Sequence, residues 1–144
     1  MTLTSYAASS SSGRPLAGVE YRPGVCNIGP AEIARRRRAG HIGLLVTVAV
    51  LAALVAIDAP PLARLLLILP AAVAASGYLQ ARLKFGAGFG SRGIFNLGPI
   101  GASRPVLDEE ARARDRAQAN RIGLASFAIG VAVGVVAAVI PLGA

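Results

Sequence analysis

Three long apolar segments, roughly residues 40–57, 62–79 and 122–142, limit what this chain can fold into more than any other feature. Each approaches the ~20 mostly apolar residues that a helix needs to cross a bilayer at a rise of 1.5 Å per residue. Residues 42–57 and 122–144 carry no charge. The apolar residues are blocked together, not dispersed at the helix or strand period of a half-buried soluble element. A chain of 144 residues that is 54% apolar and only 15% charged is therefore expected to form one all-α membrane protein with three transmembrane helices. A soluble helical protein with buried helices is the competing fold. The middle segment is the shortest and contains Pro70. Arg64 near its start is expected to snorkel to the headgroups at its end of the bundle.

Charge orients the three spans. Alternate crossings put all of the fifteen Lys and Arg residues except Arg64 on one side. Basic loops are retained on the cytoplasmic side, so the N-terminus is expected inside and the C-terminus outside, in the inner (plasma) membrane of a bacterium. The net charge of +8 is concentrated beside the spans. Arg35, Arg36, Arg37 and Arg38 precede the first, and Arg82 and Lys84 follow the second. There they meet anionic lipid headgroups, at about 1 kcal/mol per residue near the surface. Nucleic acid is not an expected partner, because zinc-finger spacing is missing and four Phe and three Tyr form no aromatic platform.

The chain divides accordingly. Residues 1–25, rich in Ser, Ala, Gly and Pro, are expected to be a disordered tail. No apolar h-region follows the start, and the span after the arginine run is long with a weak cleavage site, so it reads as an uncleaved anchor. Residues 26–39 are expected to form a basic interfacial helix, with Gly29 as N-cap, Pro30 first and Glu32 in the first turn. Residues 40–79 form a hairpin that turns at Asp58-Ala59-Pro60-Pro61. Residues 80–121 are the cytoplasmic connection. Its glycine-rich start, Phe85 to Gly93, disfavours a regular helix, and Phe85, Phe89 and Phe95 are expected to dip into lipid. From Asp108, a cap followed by Glu109 and Glu110, a charged helix is expected. Asp108–Arg112 and Glu110–Arg114 are i,i+4 pairs of about 0.3 kcal/mol each. This helix is expected to run straight into the third span, 122–144. Asn27-Ile28-Gly29-Pro30 is echoed by Asn96-Leu97-Gly98-Pro99, and both read as helix entries of similar chemistry.

Candidate sites are few. Ser126, Gly130, Gly134 and Ala138 recur every four residues on the third span, and include a GxxxG match. Small faces let helices approach closely in lipid. The partner is open: the chain's own hairpin, a second copy, or another protein. His41 is the single histidine; it is a weak candidate haem ligand, and the plainer role is an interfacial polar residue. Cys26 is the single cysteine, so no disulfide or multi-cysteine metal site can form within the chain. It precedes a helix N-terminus and a basic run, which makes it a candidate reactive or acylated thiol, while an inert cysteine is the plainer reading. The segment Gly86 to Gly93 completes neither a P-loop nor a dinucleotide fingerprint.

Three stretches carry a resemblance. They are Val25-Cys26-Asn27-Ile28-Gly29-Pro30-Ala31-Glu32-Ile33-Ala34-Arg35-Arg36-Arg37, then Ser76-Gly77-Tyr78-Leu79-Gln80-Ala81-Arg82, then Gly93-Ile94-Phe95-Asn96-Leu97-Gly98. Over about residues 22–141 the chain resembles a group of small bacterial integral membrane proteins with no established activity. The resemblance implies no catalytic residues. It implies a second cysteine near position 86, where this chain has Gly86, which argues against a working cysteine pair.

The expected function is protein–protein interaction: an accessory, assembly or scaffold subunit of a membrane complex, not an enzyme, with no cofactor. Its partners would be anionic lipids together with other membrane subunits or further copies of itself. The alternatives are an oligomeric small transporter or channel, and a redox or haem-binding membrane subunit. The spans offer no mid-membrane ionisable residue to line a polar path.

Overall fold

A computed structural model describes residues 20–143. The expected tail over residues 1–19 lies outside the described residues. Helix α1 runs over Pro30–Ala56, and α2 over Ile68–Leu83, entered through a 3-10 stretch at Pro61–Leu67. A short α3, Ala87–Arg92, follows, then β1 (Ile94–Phe95), β2 (Arg104–Pro105) and the long α4, Glu109–Val139.

Three of these units are long and apolar enough to cross a membrane: α1, the combined Pro61–Leu83 unit, and α4. Only 17%, 28% and 28% of their most apolar windows are buried inside the bundle. A soluble helical protein would bury most of that surface. Here Leu45, Leu69, Leu124 and Val139 are each at least 70% exposed, as suits helices that face lipid. The chain is an all-α membrane protein of three spans.

The boundaries follow local chemistry. Gly29 precedes α1 in extended conformation and Pro30 opens it, as expected. The basic segment and the first span form one unbroken helix of 27 residues, not two elements. It ends at Ile57, and Asp58 takes the left-handed conformation at φ 55°. Pro60 and Pro61 then start the return. The 3-10 stretch accommodates Pro70, which lies within the first turn of α2, where a proline lacks little. It also lengthens the middle span. Seven residues at about 2.0 Å and sixteen at about 1.5 Å give ~38 Å, enough for a hydrocarbon core of ~30 Å.

Asp108 caps α4 by accepting from the Ala111 N–H at 2.8 Å. The helix then continues for 31 residues through the charged segment and into the span. Of the two expected i,i+4 pairs, Glu110–Arg114 forms at 2.6 Å. Arg112 turns instead to the carbonyl of Val106.

α1 and α4 each pack on α2, which is the middle element. The packing uses small residues. Gly40 and Gly43 of α1 face Gly77 and Ala74 of α2. Ser126, Gly130 and Gly134 are buried, with both glycines against Ile68 and Gly130 also against Ala72. The stripe's partner is thus the chain's own hairpin. At the end of the stripe the buried residue is Ala137, while Ala138 is half-buried. A spacing of four overshoots a 3.6-residue turn by about 40° each time, so after three steps the facing position falls back by one.

Arg64 does not snorkel. It is only 6% exposed and lies inside the far end of the bundle. Its guanidinium donates to the carbonyls of Ala137 (3.0 Å), Ile140 (2.9 Å) and Leu142 (2.8 Å). The last carbonyls of a helix have no partner within it. A cation with several donors satisfies them and opposes the negative end of the helix dipole.

Candidate functional site: the basic end of the bundle

The N-terminus of α1, the C-terminus of α2 and the first half of α4 meet at one end. Residues 20–29 and 84–108 fold over them as a cap. Of the charged residues in 20–143, only Asp58 and Arg64 lie at the other end.

The cap is fastened by two asparagines from the echoed Asn-x-Gly-Pro segments. The segments pair with each other as a parallel bridge between Ile28 and Asn96. The Asn96 N–H donates to the Asn27 carbonyl at 2.9 Å, and the Gly29 N–H to the Asn96 carbonyl at 2.8 Å. The Asn27 side chain accepts from the Gly86 N–H at 2.6 Å and donates to the Gly86 carbonyl at 3.1 Å. The Asn96 side chain donates to the carbonyl of Pro99 and to Glu32, and accepts from the Gly98 N–H. Both asparagines are fully buried. The second segment is therefore not a helix entry. It runs into a turn closed by the Ala102 N–H on the Pro99 carbonyl, and the likeness of the two segments reflects their mutual pairing.

Glu32, 1% exposed, sits beneath this pairing. Its carboxylate lies 3.6 Å from Arg36 and 3.9 Å from Arg35. Arg36 turns inward over the Phe89 ring, at 5.2 Å from its centroid. The four arginines expected at the headgroups are thus divided. Arg35 and Arg36 engage Glu32, while Arg37 and Arg38 remain exposed, and with Arg82 and Lys84 they have no acidic partner among the described residues.

The aromatic residues are corrected in the same way. Phe85 does not dip into lipid. It is fully buried against Ala119 and Ile122, and the short helix α3 closes over it. Phe89 lies under Arg36, and Phe95 stacks on Tyr21 at 4.6 Å. The glycine run does form a helical turn, because Gly90 lets it approach the Phe85 ring and the Asp115 backbone without a side chain in between.

Asp115, fully buried on α4, accepts from the Tyr21 hydroxyl at 2.6 Å and from the Gly24 N–H at 2.7 Å. It holds a turn closed by Arg22 and Cys26, so residues 20–25 are folded onto the cap instead of continuing the tail. Cys26 is buried, with its thiol 3.8 Å from the Ile28 carbonyl. Burial limits the access of a reagent to this thiol. A measurable outcome follows. Cys26 will label slowly with maleimide in the folded protein. Asp115→Ala will free the turn, accelerate labelling at least about tenfold, and cost about 1–3 kcal/mol, the range for orphaning buried donors. Equal labelling rates would remove Asp115 as the clasp.

His41 pairs through Nδ1 with the Tyr78 hydroxyl at 2.7 Å, in an exposed position on the flank of the α1–α2 seam. The rings meet edge-on at 5.3 Å. Among the described residues no three His, Cys, Asp or Glu side chains gather as a metal site. Tyr78, Glu32, Asn96 and Asp115 are not singled out in the sequence as site residues. The repeated Asn-x-Gly-Pro is the one signal the sequence offers, and by itself it suggests two helix entries, not a pairing. No family model matches the chain, and no curated protein or solved structure shows significant similarity to it.

Proposed function

We propose that this chain is a multi-pass protein of a bacterial inner membrane that works by protein–protein interaction, as an accessory, assembly or scaffold subunit. Its basic cap faces the cytoplasm, in accord with the retention of arginine-rich segments on that side. The observation that carries the reading is a pair of exposed apolar side chains close together in the chain on the basic cap, which also exposes Val25. Ile100 is 53% exposed and Leu107 is 67% exposed, on either side of the exposed Arg104–Pro105 strand. Leu107 precedes the Asp108 cap, fourteen residues before Ile122, where the apolar part of α4 begins. At 1.5 Å per residue that is about 20 Å along the helix, beyond the reach of acyl chains. Exposed apolar residues rimmed by charge, out of reach of lipid, suit contact with another protein.

The small-residue stripe of α4 is engaged within the chain, which directs docking to the cap and away from the spans. Photo-crosslinking from benzoylphenylalanine placed at Ile100 or Leu107, in native membranes at native expression, examines this. A discrete protein adduct is expected from the cap positions, and none from Leu69, which faces lipid. No adduct from either cap position would end the proposal.

A further inference from the structure

We infer that the α1–α2 seam at the basic end is a binding site for the phosphate of an anionic phospholipid, built from Arg37, His41, Tyr78 and Arg82. The inference uses the membrane placement of the spans and is independent of any protein partner.

The register of the hairpin brings these residues together. Gly40 lies against Gly77 and Tyr78, and Gly43 lies against Ala74, so the two antiparallel helices keep a constant pairing along the seam. One turn toward the cap from His41 is Arg37, and one turn toward the cap from Tyr78 is Arg82. Residues four apart share a helix face. Because His41 and Tyr78 touch on one flank, Arg37 and Arg82 stand on that flank too, at the same level on opposite sides of the seam. Both are exposed and have no acidic partner among the described residues. Glu32, the nearest carboxylate on α1, is turned inward to Arg35, Arg36 and Asn96.

The His41–Tyr78 pair supplies the polar floor. With the Tyr78 hydroxyl donating to Nδ1, the neutral ring carries its proton on Nε2, which then donates to an incoming oxygen. Two guanidiniums and one imidazole donor suit a phosphate diester of net negative charge, whose oxygens accept charge-assisted hydrogen bonds, whereas a choline headgroup brings its own cation against the arginines. The ligand source is fixed by what continues the flank. Leu44, Leu45 and Val48 follow His41 by three, four and seven residues, all exposed. A diester at His41 would lay its acyl chains along them. Free phosphate would make none of these contacts.

Native mass spectrometry of the whole protein in a neutral detergent, with equimolar dioleoyl phosphatidylglycerol and dioleoyl phosphatidylcholine, reads the site. The wild type is expected to retain the anionic lipid at least about tenfold over the zwitterionic one, as two nearby arginines allow. R37Q/R82Q is expected to lose that preference. R104Q/R116Q removes two exposed arginines elsewhere in the chain and is expected to keep it. All four positions are exposed, and an unchanged melting curve for both doubles will show that the fold is intact. Tyr78→Phe keeps the ring over Gly40 and removes only the hydroxyl; it is expected to weaken retention in part. Equal loss in the two double variants would overturn the site in favour of a diffuse surface field. So would wild-type retention without preference, or displacement of the lipid by millimolar inorganic phosphate.

Discussion

Replacing Arg64 by leucine is expected to destabilise the protein by about 3 kcal/mol, although it removes a charge from an apolar span. The sign of this effect separates two views of the residue. A snorkelling arginine at the end of a span costs insertion energy, and leucine would lower that cost. The arginine observed here is buried and makes three hydrogen bonds to the carbonyls that end α4. Leucine leaves those acceptors without their partner, including the buried Ala137 carbonyl, and the C-terminal turn of α4 loses its tie to the 3-10 stretch. Arg64→Lys is expected to recover part of the loss, because an ammonium keeps the charge but cannot span three acceptors as a planar fork does. Reversible unfolding in mixed micelles with increasing SDS measures the difference. A leucine variant as stable as wild type would show that the clamp contributes nothing.

The second large effect is expected at Gly77. A Cβ there would collide with the backbone nitrogen of Gly40 and lie 2.7 Å from the carbonyl oxygen of Arg36. Both are backbone atoms, so no rotamer change makes room. Gly77→Ala is expected to cost about 3 kcal/mol and Gly77→Leu to separate the hairpin, at or beyond the upper end of overpacking penalties. The His41–Tyr78 pair, one residue away on each helix, will part with it. Gly123→Ala is the control. Nothing lies within 4 Å of that position, and alanine is the better helix former by up to about 1 kcal/mol. Both variants can be read in the same SDS titration. A Gly77→Ala protein that matches Gly123→Ala would contradict the close approach of α1 and α2.

Much of the architecture was readable because it depends on one residue at a time or on near neighbours. Apolar blocks give the spans, and paired prolines give the hairpin. Asp108 with Glu109 and Glu110 marks the start of α4, and a four-residue spacing marks its packing face. The end of that face slipped from Ala138 to Ala137 because the helix turns in 3.6 residues. The middle span looked short only because a 3-10 stretch, with its greater rise, is not visible as a pattern. The helix start and arginine run beside Cys26 are visible as neighbours in the chain, whereas its burial under the Arg22–Cys26 turn is not.

The sequence by itself determined that the chain spans a lipid layer three times and gathers its basic charge at one end, since hydropathy and charge act without a tertiary partner. Only the tertiary structure decided what each polar residue does. Asp115 reaches Tyr21 across 94 positions, Arg64 reaches Ala137 across 73, and Asn27 reaches Gly86 across 59. A hydrogen bond depends on atoms being within about 3 Å, and distance along the chain carries no trace of that. The arginine run makes the point within four residues. Arg36 is drawn under the cap by Glu32 and Phe89, while Arg37 beside it is left exposed.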